Sequence, residues 1–202
     1  VNKQVIALGH ENGFHGAFPL YIAAQQGYHQ VVQLLLAEPQ LDINQGKGAS
    51  ASTALFIAAQ QGQAKVVQLL MADTRLDVNR ERIDCGATPL YIAAQQGHTE
   101  VVSLLLRSER IDVHKGILDT GDTPLYVAAQ QGHQEVVKLL LADSRVKVNR
   151  VRSDVASCST PLFLAAQQQQ AQSVGASGGA ETRGRTALHS ILDRHSTLGR
   201  PT

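Results

Sequence analysis

The chain contains few of the residues that support several common functions. It has no tryptophan, one methionine, four tyrosines, four phenylalanines and two cysteines in 202 residues. Cys85 and Cys158 lie in non-equivalent parts of distant segments, which argues against a disulfide framework and favours a reducing intracellular, cytoplasmic setting. The 18 Lys and Arg residues nearly balance the 17 Asp and Glu residues. Charge therefore does not indicate a nucleic-acid or anionic-membrane partner.

Long apolar runs and catalytic motifs are also missing. No apolar stretch approaches the roughly 20 residues that a membrane-spanning helix needs, and the amino terminus lacks a signal-peptide pattern. No Ser/His/Asp set, glycine-rich phosphate loop or carboxylate pair can be placed on a common pocket. His10 and His15 lack a well-placed third ligand for a metal ion. We expect no enzymatic activity, no cofactor, no metal and no membrane insertion.

The chain is instead dominated by an internal repeat. Thr88 to Leu106 reads TPLYIAAQQGHTEVVSLLL, and Thr123 to Leu141 reads TPLYVAAQQGHQEVVKLLL, identical at 16 of 19 positions and 35 residues apart. Related blocks begin at Phe18 and Thr53, and a degenerate one begins at Thr160. Because one unit of this size cannot bury its apolar face alone, the copies are expected to stack into an all-α repeat solenoid.

The third copy shows how one unit should fold. Thr88 is suited to cap a helix, Pro89 suits its first position, and Gly97 can end it with a positive φ. The following Val and Leu residues form a broad apolar stripe, which indicates a second helix to about Arg107 that packs against neighbours on both sides. The turn sequence Asp119-Thr120-Gly121 then predicts a projecting β-hairpin, or finger, before the next copy.

The block, followed by Asp-Val-Asn and by D-x-G-x-T-P-L, resembles the ankyrin repeat over roughly residues 17–168. The family's period is about 33 residues. One extra residue of this chain lies where the second helix ends, and another lies in the finger. The family's usual His after Thr-Pro-Leu is replaced by aromatic residues, which we interpret as packing: Tyr21, Phe56, Tyr91, Tyr126 and Phe163.

The resemblance implies four full copies from about residues 17, 52, 87 and 122 and a partial fifth from about 159. Residues 1–16 would be the end of a preceding repeat or an N-terminal cap, and the Val1-Asn2 pair suggests a fragment of a longer protein. The Gln-, Gly- and Ser-rich segment 169–185 is expected to be a flexible linker. Residues 186–202 then form a capping helix, or the true continuation of the array lies beyond Thr202.

Two kinds of surface residue are candidates for partner binding. The fingers of copies two to four differ most, and they combine basic with aliphatic residues, a composition typical of interface centres: Arg80, Arg82, Ile83, Lys115, Ile117, Leu118, Arg152 and Val155. A pair of glutamines ends each first helix, where the resemblance implies a groove-facing position: Gln60, Gln61, Gln95, Gln96, Gln130 and Gln131, with Gln25-Gln26 and Gln167-Gln168 in the outer copies.

Two further rows of residues favour structural roles. Arg75, Arg110 and Arg145 recur every 35 residues. Exposed ion pairs with the neighbouring acids Asp73, Glu109 and Asp143 are expected, with a phosphate-binding stripe as the alternative. His98 and His133 follow the turn glycines, where the resemblance implies a structural His.

The resemblance implies a module that recognises another protein through the groove and the fingers, monomeric when isolated. Two alternatives remain open. The chain could be a structural or spacer subunit of a large assembly, or the regulatory module of a larger enzyme or channel.

Overall fold

The structure is a computed structural model that describes residues 19–147, and these residues form eight short helices. In chain order they are α1 (Pro19–Gln26), α2 (His29–Leu36), α3 (Ala54–Gln60), α4 (Ala64–Met71), α5 (Pro89–Gln96), α6 (Thr99–Leu106), α7 (Pro124–Gln131) and α8 (Gln134–Ala142). Each repeat contributes one pair of helices that pack against each other.

The helices are arranged in two rows. The first helices of successive repeats, α1, α3, α5 and α7, pack side by side, and the second helices, α2, α4, α6 and α8, form the other row. The core runs between the rows and continues from repeat to repeat. Ala58, Ala59, Ala93 and Ala94 are completely buried, because only a small side chain lets neighbouring first helices approach so closely. The repeat solenoid predicted from the sequence is confirmed.

The local signals of the third copy act as predicted. Thr88 Oγ1 accepts a hydrogen bond from the Tyr91 amide at 3.2 Å, and Pro89 occupies the first turn of α5. Gly97 ends the helix with a φ of 74°. The second helix stops at Leu106, with Arg107 at its C-terminal cap.

The aromatic row also packs as predicted. The four described members of this row are buried in the core: Tyr21, Phe56, Tyr91 and Tyr126. The fifth member, Phe163, lies outside the described residues, as do His10 and His15.

The fingers are tighter than the predicted β-hairpins. Within residues 19–147 the only strand-like pairing is an isolated bridge between Lys47 and Ser52. The second finger is closed by the Arg82 amide, which donates to the Ala87 carbonyl at 3.0 Å, and by a turn in which Gly86 has a φ of 74°. The first finger has Ala51 at the equivalent position with a φ of 51°, a conformation that costs an L-residue about 1–2 kcal/mol.

Several predicted segments fall outside the described residues. These are the N-terminal segment 1–16, the partial fifth copy from about residue 159, the linker 169–185 and the capping helix 186–202.

Candidate interaction surface

The tips of the second and third fingers expose two large aliphatic side chains. Ile83 is 65% exposed and Leu118 is 64% exposed, and they occupy equivalent positions 35 residues apart. We call Ile83, Leu118 and the charged residues of their two fingers the finger surface. A single exposed apolar residue is ordinary on a protein surface. Two at equivalent positions of adjacent repeats are more informative, because clustered exposed apolar residues mark interaction sites.

Backbone hydrogen bonds hold these tips in register. The Ile83 amide donates to the Ser50 carbonyl of the preceding finger at 3.0 Å, and the Leu118 amide donates to the Cys85 carbonyl at 2.9 Å. The Leu118 side chain also lies over Gly86, where an added Cβ would come within 2.6 Å of Leu118 Cγ. The finger surface is therefore positioned by contacts between repeats.

Ile117 has a different environment from the one the sequence suggests. It is half-buried and packs against the core. The equivalent residues of the two earlier fingers lie over aromatic rings, with Lys47 Nζ 4.6 Å from the centre of the Tyr21 ring and the Arg82 guanidinium 5.5 Å from that of Phe56. This position faces inward, so of the two adjacent aliphatic residues of the third finger, Leu118 is the exposed one.

Two of the three predicted basic finger residues that the structure describes are paired with acids. Arg82 forms an ion pair with Asp84, and its hydrogen bond is the main reason that the pKa of the Asp84 carboxyl is lowered. Lys115 Nζ lies 3.2 Å from Glu81 Oε2 of the preceding finger. Arg80 is exposed. Within the described fingers the positive charge is thus largely compensated, and the surface is less basic than its composition suggests. Arg152 and Val155 lie outside the described residues.

The two glutamines of each pair differ in exposure. The second is exposed in all four described repeats, and we call these residues the glutamine row: Gln26, Gln61, Gln96 and Gln131. Among the first glutamines of the pairs, Gln25, Gln60 and Gln95 are half-buried, whereas Gln130 is exposed. The glutamine row, together with Gln130, is therefore the accessible part of the predicted glutamine set.

The histidines after the turn glycines connect neighbouring repeats. His98 Nε2 lies 2.9 Å from the Gln60 carbonyl oxygen, and His133 Nε2 lies 2.9 Å from that of Gln95. In the second repeat Gln63 takes this position and donates to the Gln25 carbonyl at a longer 3.5 Å. These contacts support the structural role expected for His98 and His133.

The arginine row differs in part from the prediction. Arg75 pairs with Asp73 at 2.6 Å and Arg145 pairs with Asp143 at 2.7 Å, and these hydrogen bonds lower the pKa of both carboxyls. The stabilisation from these two ion pairs is therefore present at neutral pH, and it is lost as the pH falls through the lowered pKa of each aspartate. The pairing expected between Arg110 and its neighbour Glu109 is not among the ion pairs of residues 19–147.

The arginines also donate to backbone carbonyls of the preceding repeat. Arg145 Nη2, for example, donates to the Leu106 carbonyl at 2.8 Å, and its Nη1 donates to the Ser108 carbonyl at 3.0 Å. Donors used in this way are not available to a phosphate group, which argues against the phosphate-binding stripe.

A third row of inter-repeat contacts was missed by the sequence reasoning. Asn44 Nδ2 donates to the Arg75 carbonyl at 2.8 Å, while its Oδ1 accepts from the Asp77 amide at 2.7 Å. Asn79 makes the equivalent pair with Arg110 and Asp112 at 2.6 and 2.8 Å. The signal was present as polar residues at positions 44, 79 and 114, spaced by 35 residues.

His114 replaces asparagine at the third position of this row and is chemically less suited to it. Its Nε2 lies 2.9 Å from the Arg145 carbonyl oxygen and 3.2 Å from the Lys147 amide nitrogen. A neutral imidazole nitrogen either donates or accepts, so one ring position cannot satisfy both groups, whereas an asparagine amide can.

We therefore expect His114→Asn to raise the free energy of unfolding by about 1 kcal/mol, the contribution of one restored hydrogen bond. Urea unfolding followed by circular dichroism measures the change. His133→Asn is the matched control, because it makes the same substitution where the histidine already fits, and it should lower stability. A decrease for His114→Asn would contradict the interpretation.

The described residues lack two features of other functional classes, a metal-ligand cluster and a membrane-spanning helix. Within residues 19–147, no group of three or more His, Cys, Asp or Glu residues could hold a metal ion. None of the helices in this range has the length and apolar character needed to cross a lipid bilayer.

Comparison with known families agrees with the architecture. The family description "Ankyrin repeats (3 copies)" matches residues 2–82, 55–152 and 119–176. No curated protein matches the sequence. Because the family matches together extend from residue 2 to residue 176, the chain belongs to the ankyrin-repeat family.

Proposed function

We propose that this chain binds a partner protein through the finger surface, with the glutamine row as a second, polar contact. Ankyrin repeats are in general protein–protein interaction modules and are typically non-catalytic. The observation that carries the proposal is the exposure of Ile83 and Leu118 at equivalent tips of adjacent fingers. An apolar centre with a polar rim is the usual anatomy of a protein–protein interface.

The arrangement of the charges supports an apolar mode of recognition. Arg82 is paired with Asp84, and Lys115 with Glu81, so the charged side chains around the two tips largely neutralise one another. Affinity for the partner should then depend weakly on salt, because screening acts mainly on unpaired surface charge. A partner recognised mainly by the basic residues would bind much more weakly at high ionic strength.

Rigidity of the surface also favours this role. The inter-finger hydrogen bonds of Ile83 and Leu118 fix the two tips before any partner binds. A pre-formed surface loses less conformational entropy on association than a flexible loop does.

The test is affinity purification with quantitative mass spectrometry, comparing the wild-type chain with the double variant Ile83→Asp/Leu118→Asp. We expect partner recovery to fall at least ~10-fold, since hot-spot residues contribute about 2 kcal/mol or more. Both residues are exposed, so helicity and thermal unfolding should change little. Ile117 is left unchanged because it packs against the core.

A matched control places the same charges on the first described repeat, away from the two finger tips. Tyr28 and Leu34, in the first described repeat, are 58% and 73% exposed, and Tyr28→Asp/Leu34→Asp should leave recovery through the fingers intact. If instead the control loses the partner and the finger variant keeps it, the chain binds through the second helix of the first described repeat. That outcome favours the structural-subunit alternative, in which the exposed side chains of Tyr28 and Leu34 are the contact residues.

A further inference from the structure

The two helices of each repeat end in different ways. The first helices α5 and α7 end at Gly97 and Gly132 in the left-handed conformation. The second helices α2, α4 and α6 instead continue into right-handed cap residues, Ala37, Ala72 and Arg107. Local backbone amides donate to the penultimate carbonyls, those of Leu35, Leu70 and Leu105. Without the left-handed turn, the carbonyl of the last residue of each of these helices needs a donor from elsewhere.

Those donors come from the arginine of the following repeat. The last residue of α2, α4 and α6 is Leu36, Met71 and Leu106. Arg75, Arg110 and Arg145 donate through Nη2 to these three carbonyls, at 3.2, 3.4 and 2.8 Å. The second amino group, Nη1, reaches the loop that follows each helix, for instance the Leu76 carbonyl at 3.1 Å from Arg110. The Nη2 contact with the last helical residue is the same at all three junctions, whereas the loop carbonyls that Nη1 reaches differ.

We propose that Arg75, Arg110 and Arg145 are the C-terminal caps of the second helices in the repeats that precede them, in place of a glycine stop. A guanidinium suits this site, because it offers several donors in a planar fork and its positive charge interacts favourably with a helix C-terminus. The ends of α2, α4 and α6 are therefore complete only when the next repeat is docked. The cap couples neighbouring repeats directly.

The arginine makes its carbonyl contacts even where it has no aspartate two residues before it. Ser108 stands where the other two repeats have Asp73 and Asp143. Arg110 nevertheless donates to the Met71 and Leu76 carbonyls of the preceding repeat. The carbonyl contacts thus form with or without an acidic neighbour, which separates the capping role from ordinary surface ion pairing.

Amide hydrogen exchange measured by NMR distinguishes a cap on the preceding repeat from a local role. The reporters are the Asp73 and Leu76 amides, which are hydrogen-bonded in the loop after α4. Arg110→Ala should accelerate their exchange about tenfold, because hydrogen bonds to charged groups are among the stronger ones. Arg107→Ala removes the same charge from an exposed position three residues away, and it should leave these amides unchanged.

A second variant tests the proposal in the opposite direction. Ser108→Asp restores the carboxylate that orients the guanidinium in the other repeats, and it should slow exchange of the Asp73 and Leu76 amides by roughly two- to fivefold. This protection should disappear when Ser108→Asp is combined with Arg110→Ala, as a double-mutant cycle would show.

Three outcomes would contradict the proposal that Arg110 caps α4. One is accelerated exchange confined to residues 108–112. Another is an equal response to Arg110→Ala and Arg107→Ala. The third is uniform acceleration that also reaches the Val32 amide in α2, which would mean general destabilisation. The proposal is supported by faster exchange confined to the loop after α4 in Arg110→Ala, together with slower exchange there in Ser108→Asp.

Discussion

Replacing Leu105 with alanine is expected to lower the free energy of unfolding by about 2–5 kcal/mol, the largest effect of any change considered for this chain. Leu105 is completely buried in α6, and this helix packs between α4 and α8. Truncation loses the transfer energy of the side chain and leaves a cavity at a junction of three repeats. Equilibrium unfolding in urea, followed by circular dichroism at 222 nm, measures the loss.

Leu34→Ala is the control for this prediction. It makes the same truncation within a second helix, but Leu34 is 73% exposed, so we expect a change of under about 0.5 kcal/mol. Similar losses for the two variants would show that the stability of the stack does not depend on the core between second helices. A much larger loss for Leu105→Ala would show that packing between the second helices of neighbouring repeats contributes to the free energy of unfolding.

Gly97→Ala is expected to cost about 2–3 kcal/mol, from two sources that add. Gly97 has a φ of +74°, which strains any L-residue, and an added Cβ would lie 2.6 Å from His133 Nδ1. The ring would have to move, and the hydrogen bond between His133 Nε2 and the Gln95 carbonyl would be weakened or lost. Urea unfolding again provides the measurement.

Gly48→Ala separates the two sources. Gly48 has a similar φ of +65° but no atom within 4 Å of an added Cβ, so only the conformational cost applies, about 1 kcal/mol. The difference between the two variants is the contribution of the contact between repeats. Equal losses would mean that the histidine contact contributes nothing to stability.

Local features of each repeat were predictable because they depend on neighbours in sequence. Thr88 caps α5, Pro89 begins it and Gly97 ends it, all as expected from their intrinsic conformational preferences. The burial of the aromatic row followed from the resemblance, because these residues occupy the position of the family's usual His. Repetition strengthened these predictions, because the same signals occur in each copy.

The candidate surface was predictable only in outline. Composition identified the fingers, but it could not tell which of Ile117 and Leu118 faces solvent, because that depends on how the turn lies over the core. It also overstated the positive charge, since the partner of Lys115 is Glu81 in the preceding finger. Both outcomes are set by contacts between residues more than thirty positions apart.

The sequence alone therefore determined the repeating unit, its two helices, the glycine stop of the first helix and the family to which the chain belongs. Tertiary structure decided what the polar rows do: Arg110 caps the helix that ends at Met71, and Asn79 bridges to the following repeat. The physical reason is the range of the interactions. Helix propensity and capping act within a few residues, whereas these hydrogen bonds form only after stacking brings one repeat against the next.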